Sequence, residues 1–217
     1  MSESSFRDGW ADLMGSEHIT KEKVLDHYAQ NAENYDEHLR QIQSTGPTRI
    51  AEKLAQQVPL EERSHFDILD VAAGTGRVGE ALVEKQFGTI DALDPSQPLL
   101  AKLEAKGIYR RVFCTFLGNG HNAPVEDGAY DGVVISGGFS KEHLPIEVLD
   151  EIIRILKPGG FFVNGMTASY IKFPELLGLE PKMDQLEQAK KWVKISREVQ
   201  SGSTIHAAGL YHVYKKL

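Results

Sequence analysis

Residues 66–82, FDILDVAAGTGRVGEAL, lead a short apolar run into an amphipathic helical pattern through a loop that carries Gly74, Gly76 and Gly79. An apolar run this short, closed by glycines, suits a buried parallel strand, and the segment after the loop has the apolar period of a helix. A strand turning into a helix in this way is the opening of a βαβ unit. It requires a parallel sheet to lie in and helices to cover that sheet.

The chain repeats the pattern. GTIDALD (88–94) reads as a second strand ending on an acid. Ser96 is placed to cap the next helix, SQPLLAKLEAKG, with Pro98 in its first turn and Gly107 at its C-terminal end. IYRRVFCTF (108–116) predicts a third strand whose two arginines suit an edge. AYDGVVISGG (129–138) predicts a fourth strand. IEVLDEIIRILKPGG (146–160) predicts a helix stopped by Pro158 and Gly159, and GFFVNGM (160–166) a fifth strand.

Past Met166 the rhythm changes to a Pro-interrupted helical stretch and then two strands about a Gly/Ser turn. The expected fold is therefore α/β: a Rossmann-like doubly wound sheet of seven strands, mostly parallel with a C-terminal antiparallel hairpin, and helices on both faces.

Upstream, a helix is expected from Thr20, its N-cap, with Val24, Leu25, Tyr28, Tyr35 and Leu39 at helical spacings, until STGP (44–47) breaks it. A second helix is expected over about 48–57. Residues 1–19 read as a tail or a short helix, and 20–217 as one domain in which 20–60 form a helical cap over the pocket.

Composition removes several function classes. The 217 residues carry a net charge of -7, which opposes a broad phosphate-binding face and nucleic acid as partner. No apolar run approaches the roughly 18 residues of a membrane span, and the start MSESSFRDGW lacks the order of a secretory signal, so a cytoplasmic protein is expected. The single cysteine, Cys114, is expected in the core, and no metal site is expected. A monomer or homodimer fits the rest.

Gly74, Gly76 and Gly79 spell a literal G-x-G-x-x-G, and Asp94 follows Gly76 by 18 residues, as in NAD(P)-binding oxidoreductases. Two features oppose that reading. Asp70, four residues before Gly74, directs a carboxylate toward the ligand crevice, where a cationic group suits it and a pyrophosphate does not. About fifty residues follow the fifth strand, too few for a separate substrate domain. Tyr211 and Lys215 form a Y-x-x-x-K, but their alternation in the last strand makes them neighbours on one face.

LDVAAGTGRVG, LDPS, YDGVVISGG and LDEIIRILKPGGFF, in this order and spacing, resemble the class I S-adenosylmethionine-dependent methyltransferases. VLDHYAQNAENYD, GIYRRVFCTFLG and a final hairpin ending in Tyr and Lys are similar to the Williams-Beuren syndrome region methyltransferase-like protein family, over roughly residues 20–217. The resemblance implies S-adenosyl-L-methionine as cofactor and S-adenosyl-L-homocysteine as product. It implies that Gly74 and Gly76 pass beneath the methionine part, that Asp70 orients its ammonium, and that Asp94 takes the ribose hydroxyls. Pro95, Ser96 and Leu99 would border the adenine, Ser136 and Gly137 would face the methyl group, and Tyr28 and Tyr35 would close the lid. Plain core packing of an amphipathic helix also accounts for the two tyrosines.

Two departures stand out. Many relatives carry glycine at Ala72. Many also end the third strand on an acid that reads the adenine amino group, for which Gly118 and Asn119 are the nearest substitutes.

Direct in-line displacement at an activated sulfonium asks mainly for positioning and dryness. A base is needed when the acceptor must lose a proton, and His143 in SKEHLP is the catalytic candidate, with His121 behind it and a surface or packing histidine as the plain alternative. No NPPY-type motif follows the fourth strand, so a small-molecule acceptor is expected, with a protein side chain second. A noncatalytic cofactor-binding scaffold is the remaining alternative.

Overall fold

In a computed structural model, residues 16, 18–205 and 207–217 are described. Residues 1–15 and 17 lie outside them, so most of the expected tail or short helix is not addressed. The elements in chain order are α1 (Lys21–Asn31), α2 (Tyr35–Gln41), α3 (Gly46–Ala55), β1 (Asp67–Val71), α4 (Arg77–Glu84), β2 (Thr89–Asp94), α5 (Gln97–Glu104), β3 (Arg111–Cys114), β4 (Tyr130–Ser136), α6 (Val148–Ile155), β5 (Leu156–Thr167), α7 (Leu179–Gln188), β6 (Trp192–Gln200) and β7 (Gly209–Lys216). Short 3₁₀ turns fill Leu60–His65, Ala168–Lys172 and Pro174–Leu176.

The seven strands form one sheet in the order β3-β2-β1-β4-β5-β7-β6. The first five are parallel, and β7 runs antiparallel between β5 and β6. This is the expected Rossmann-like architecture. Strand alternation sorts the core onto two faces. Leu69, Val133, Ile135 and Phe162 point toward α6 and α7, where Trp192 stacks between Phe162 and Tyr214 at centroid separations of 5.7 and 4.4 Å. Ile68, Ile90, Val134 and Val163 point toward α3 and α4, and Ala92 toward α5.

Local boundaries differ from the expectation in informative places. The helix expected from Thr20 to the STGP break is two helices. Asn31 donates its side-chain amide to the His27 carbonyl at 2.7 Å, and the turn through 32–34 ends α1 before Tyr35 opens α2. Strand β3 covers four residues rather than nine: Tyr109 turns inward ahead of it, and Arg110 and Arg111, at its start, converge on the buried carboxylate of Asp91, which Tyr130 also reaches at 2.9 Å. The arginines suit the edge as expected, and their shared acid is the reason.

Strand β5 begins at Leu156, earlier than expected, with a register shift opposite Tyr130 and Gly132 that absorbs KPGG. Cys114 is exposed, with Sγ 3.8 Å from the Pro95 carbonyl, because it ends an edge strand and faces away from the core. No helix among the described residues is long and apolar enough to cross a membrane. Among them no group of three or more His, Cys, Asp and Glu could hold a metal ion.

Candidate functional site

The C-terminal ends of β1, β2 and β4 open into two adjoining cavities, the crevice that an open parallel sheet reserves for ligands. The smaller, about 130 Å³, is walled by Leu93, Asp94, Pro95, Ser96, Leu99, Phe116 and Leu117. The larger, about 490 Å³, reaches past Arg77, Ser140 and Met166 to Tyr211. Ala72, Gly74, Ser136, Gly137, Tyr28, Tyr35 and His143 line both and form a common rim.

Asp94 is the fixed acid of the smaller cavity. Its Oδ2 accepts from the Gly74 amide at 2.9 Å and its Oδ1 from the Ser96 amide at 2.8 Å. Burial pushes its carboxyl up to about 6, against the pull of these two N–H groups. Ser96 occupies the N-cap position of α5, but its hydroxyl makes no capping bond and is buried without a partner among the described residues. The expected cap is thus a cavity residue.

The glycine loop divides by role. Gly74 lies on the rim with φ +56°, where only the Tyr35 ring comes near the position of a Cβ. Gly76 is outside both cavity linings; with φ +86° it is the N-cap of α4, and a Cβ there would press on Tyr109 and Leu103. Ala72 also takes a left-handed φ, 56°, which explains why glycine would suit that position.

Asp70 does not face either cavity, contrary to expectation. Strand alternation turns it under the loop, fully buried, where Tyr109 donates to its Oδ2 at 2.7 Å. Its Oδ1 has no hydrogen-bond partner among the described residues. Burial pushes the carboxyl up to about 7, Tyr109 draws it down and Asp94 adds to the rise. Tyr109 is a residue that the sequence reading missed, since it sits inside an expected strand and carries no motif.

The lid is formed by α1 and α2. Tyr28 and Tyr35 meet edge to face at 5.7 Å, and both hydroxyls are held above their usual range by burial. Thr75 donates to Asp36 at 2.5 Å and ties α2 to the glycine loop, while the Lys102 ammonium meets Glu33 at 2.7 Å and ties the lid to α5. Neither tie carries a sequence signal.

His143 lies against the lid. Its Nδ1 is 2.7 Å from the Lys141 carbonyl, an acceptor, so in the neutral ring the proton sits on Nδ1 and Nε2 accepts from the Tyr28 hydroxyl at 2.9 Å. Burial holds its pKa below the usual histidine value, and the Lys141 carbonyl opposes that shift. His121, the second candidate, is exposed beside Phe116 and lines neither cavity.

Gly118 and Asn119 do not reach the cavities. Gly118 pairs with His121 in a tight turn and packs against Pro145, and Asn119 is exposed beyond it. Phe116 and Leu117, immediately before Gly118, supply that wall instead.

A methyltransferase domain family matches residues 69–164, from β1 to the middle of β5. Human Methyltransferase-like protein 27 is 31% identical over 170 residues, which are 77% of this chain and 67% of that protein. Demethylmenaquinone methyltransferase of Symbiobacterium thermophilum is 31% identical over 138 residues, 61% of this chain; the chain thus spans about half, 54%, of that enzyme. Among solved structures, a candidate S-adenosyl-L-methionine-dependent methyltransferase of Methanococcus maripaludis superposes with a TM-score of 0.58 at 22% identity, covering 87% of this chain and 93% of its own, a likeness of fold. With its strand order, its glycine loop and the 31% identity to human Methyltransferase-like protein 27, the chain belongs to the methyltransferase domain family and has the fold of S-adenosylmethionine-dependent methyltransferases.

Proposed function

We propose that the chain methylates a small-molecule acceptor with S-adenosylmethionine as donor, and that within its family it stands beside the Williams-Beuren region methyltransferase-like proteins. The 31% identity to human Methyltransferase-like protein 27 supports the narrower placement. The observation that carries the reading is the meeting of two cavities at Gly74, Ser136 and Gly137 beneath two tyrosines. A donor site and an acceptor site that share one rim are what transfer requires. The larger cavity is open rather than filled by side chains, which favours transfer over a binding-only role.

The residues present suit the donor. Each Asp94 oxygen accepts one backbone N–H and keeps a second lone-pair direction for a ribose hydroxyl. Pro95, Leu99, Phe116 and Leu117 offer apolar walls to a purine, with the unpaired Ser96 hydroxyl at its edge. The Asp70 oxygen without a partner puts negative potential beneath the loop where an ammonium would rest. When bound, S-adenosylmethionine supplies a methyl group already activated by a positive sulfur.

The chain's own work is then positional. Tyr28 and Tyr35 cover the rim and exclude water, and the edge or face of an aromatic ring is a compatible neighbour for a cation. Tyr28 and His143 form a proton path: a proton leaving the acceptor is taken at the Tyr28 oxygen as Tyr28 passes its own to Nε2 of His143.

Differential scanning fluorimetry tests the donor. S-adenosylmethionine and S-adenosylhomocysteine should raise the melting temperature, and NAD and NADP should not; the reverse pattern overturns the reading. For the acceptor, incubation with methyl-labelled donor and a metabolite extract should place label in the small-molecule fraction. Label confined to protein would reject the small-molecule acceptor.

A further inference from the structure

The two cavities differ in charge. The smaller is lined by the carboxylates of Asp94 and Glu142 against one lysine, Lys21. Among its described residues the larger is lined by no Asp or Glu at all, and Arg77 is its one permanently charged side chain, in a protein with a net charge of -7. Arg77 opens α4 directly after Gly76 and is absent from the rim that the cavities share.

Its guanidinium is poorly satisfied. Nη2 reaches the Ser44 carbonyl at 3.5 Å, the outer limit of a hydrogen bond, and Nη1 is shielded from solvent without a partner among the described residues. A shielded cation that lacks an acceptor is costly, and a guanidinium fork matches the two oxygens of a carboxylate. Ser140, on the same cavity, also keeps a buried hydroxyl without a partner among the described residues.

Resting on the methyltransferase reading, we propose that the acceptor is a carboxylate-bearing small molecule and that Arg77 is the residue that pairs with its acid group. The polarity of the cavities agrees: the acid-lined one suits a donor with net positive charge, and the one holding Arg77 suits an anion. Leu39, Ile42 and Met166 on the larger cavity leave apolar wall for the remainder of such an acceptor. Because Arg77 is off the common rim, the acid group is an anchor and the atom that receives the methyl group is a different one. Ser140 supplies a second polar contact for discrimination.

The same chemistry has a second source, the carboxylate of the donor's own methionine part, and the experiment separates the two. Protein saturated with S-adenosylhomocysteine is titrated by NMR with acetate, hexanoate and benzoate, and with acetamide, hexanamide and benzamide as neutral partners. At least one acid should bind about tenfold tighter than its amide. Arg77→Met should abolish that preference while S-adenosylhomocysteine affinity stays unchanged, and Arg77→Lys should retain part of it. The preference in the unaltered protein is informative even if Arg77→Met fails to fold.

Absence of any acid-over-amide preference in the unaltered protein overturns the proposal. So does a tenfold loss of S-adenosylhomocysteine binding in Arg77→Met with methylthioadenosine, which lacks the amino-acid end, unaffected; Arg77 then serves the donor. Failure of the unaltered protein to bind S-adenosylhomocysteine at all rejects the methyltransferase reading itself.

Discussion

The Tyr109 hydroxyl lies 2.7 Å from Asp70 Oδ2 and 3.0 Å from the Gly79 nitrogen, donating to the first and accepting from the second. The third glycine of the G-x-G-x-x-G is therefore a seat for a tyrosine ring: a Cβ at Gly79 would overlap the hydroxyl and the ring carbons of Tyr109.

Tyr109→Phe should destabilise the protein by about 1–3 kcal/mol, because it strips a donor from a buried carboxylate. Gly79→Ala should cost a similar amount, about 1–3 kcal/mol, through overpacking. The double variant should lose less than the sum, since removing the hydroxyl relieves part of the overlap; urea denaturation of the four proteins measures this, and strict additivity would contradict the contact. The folded Asp70 carboxyl sits near 7, above its unfolded value near 3.9, so its contribution is fully present below about pH 4 and is lost as the pH rises through 7. Asp70→Asn should accordingly gain stability relative to the parent between pH 5 and 8.

Asp94 sets the pH dependence of donor binding. Ribose hydroxyls donate to the ionised carboxylate, and burial places its titration at about 6. Affinity for S-adenosylhomocysteine should therefore fall as the pH drops below 6, by up to about tenfold per unit. Asp94→Asn should bind weakly with that step removed. Calorimetry from pH 5 to 8 checks both, and an unchanged step in the variant would move the titration to another group.

His143 should appear in nitrogen-15 NMR as the neutral ring protonated at Nδ1, with a pKa below 6.5, since burial lowers it and Lys141 fixes the proton. Tyr28→Phe should shift the Nε2 resonance by removing its donor while leaving the fold intact. A ring protonated at Nε2 would exclude the proton path through Tyr28.

Ala72→Gly should stabilise the protein by about 0.5–1 kcal/mol, because the left-handed φ of 56° is strained for alanine and free for glycine. Thermal unfolding measures it. A loss of stability would mean that packing of the methyl group near Gly138 outweighs the backbone strain.

The order of strands and helices was readable because each strand is an apolar run bounded by glycine, proline or an acid, and periodicity is local information. Asp94, Pro95, Ser96 and Leu99 were readable as a site for the same reason: they follow one strand end directly. Tyr109 and the Asp36–Thr75 tie were not, because each works through a partner 39 positions away that only the folded chain brings near, and Arg77 was not, because its place on the larger cavity is set by the packing of distant segments. Asp70 shows the converse. Its place in the motif was evident, and strand alternation set which way its carboxylate turned, but the tyrosine that partners it beneath the loop comes from 39 positions away.

Strand β7 has a consequence for how the molecule assembles. It lies between β5 and β6, both of which precede it in the chain, so β6 has no neighbour in the sheet until residues 209–216 arrive. During synthesis β5 presents an open edge, the kind of surface that recruits strands from other chains, and the stack of Phe162, Trp192 and Tyr214 is incomplete for as long as that edge stays open. Closure of the sheet is an insertion into its interior across a loop of residues 201–208, and the speed of that insertion decides how long the nascent chain is exposed to aggregation.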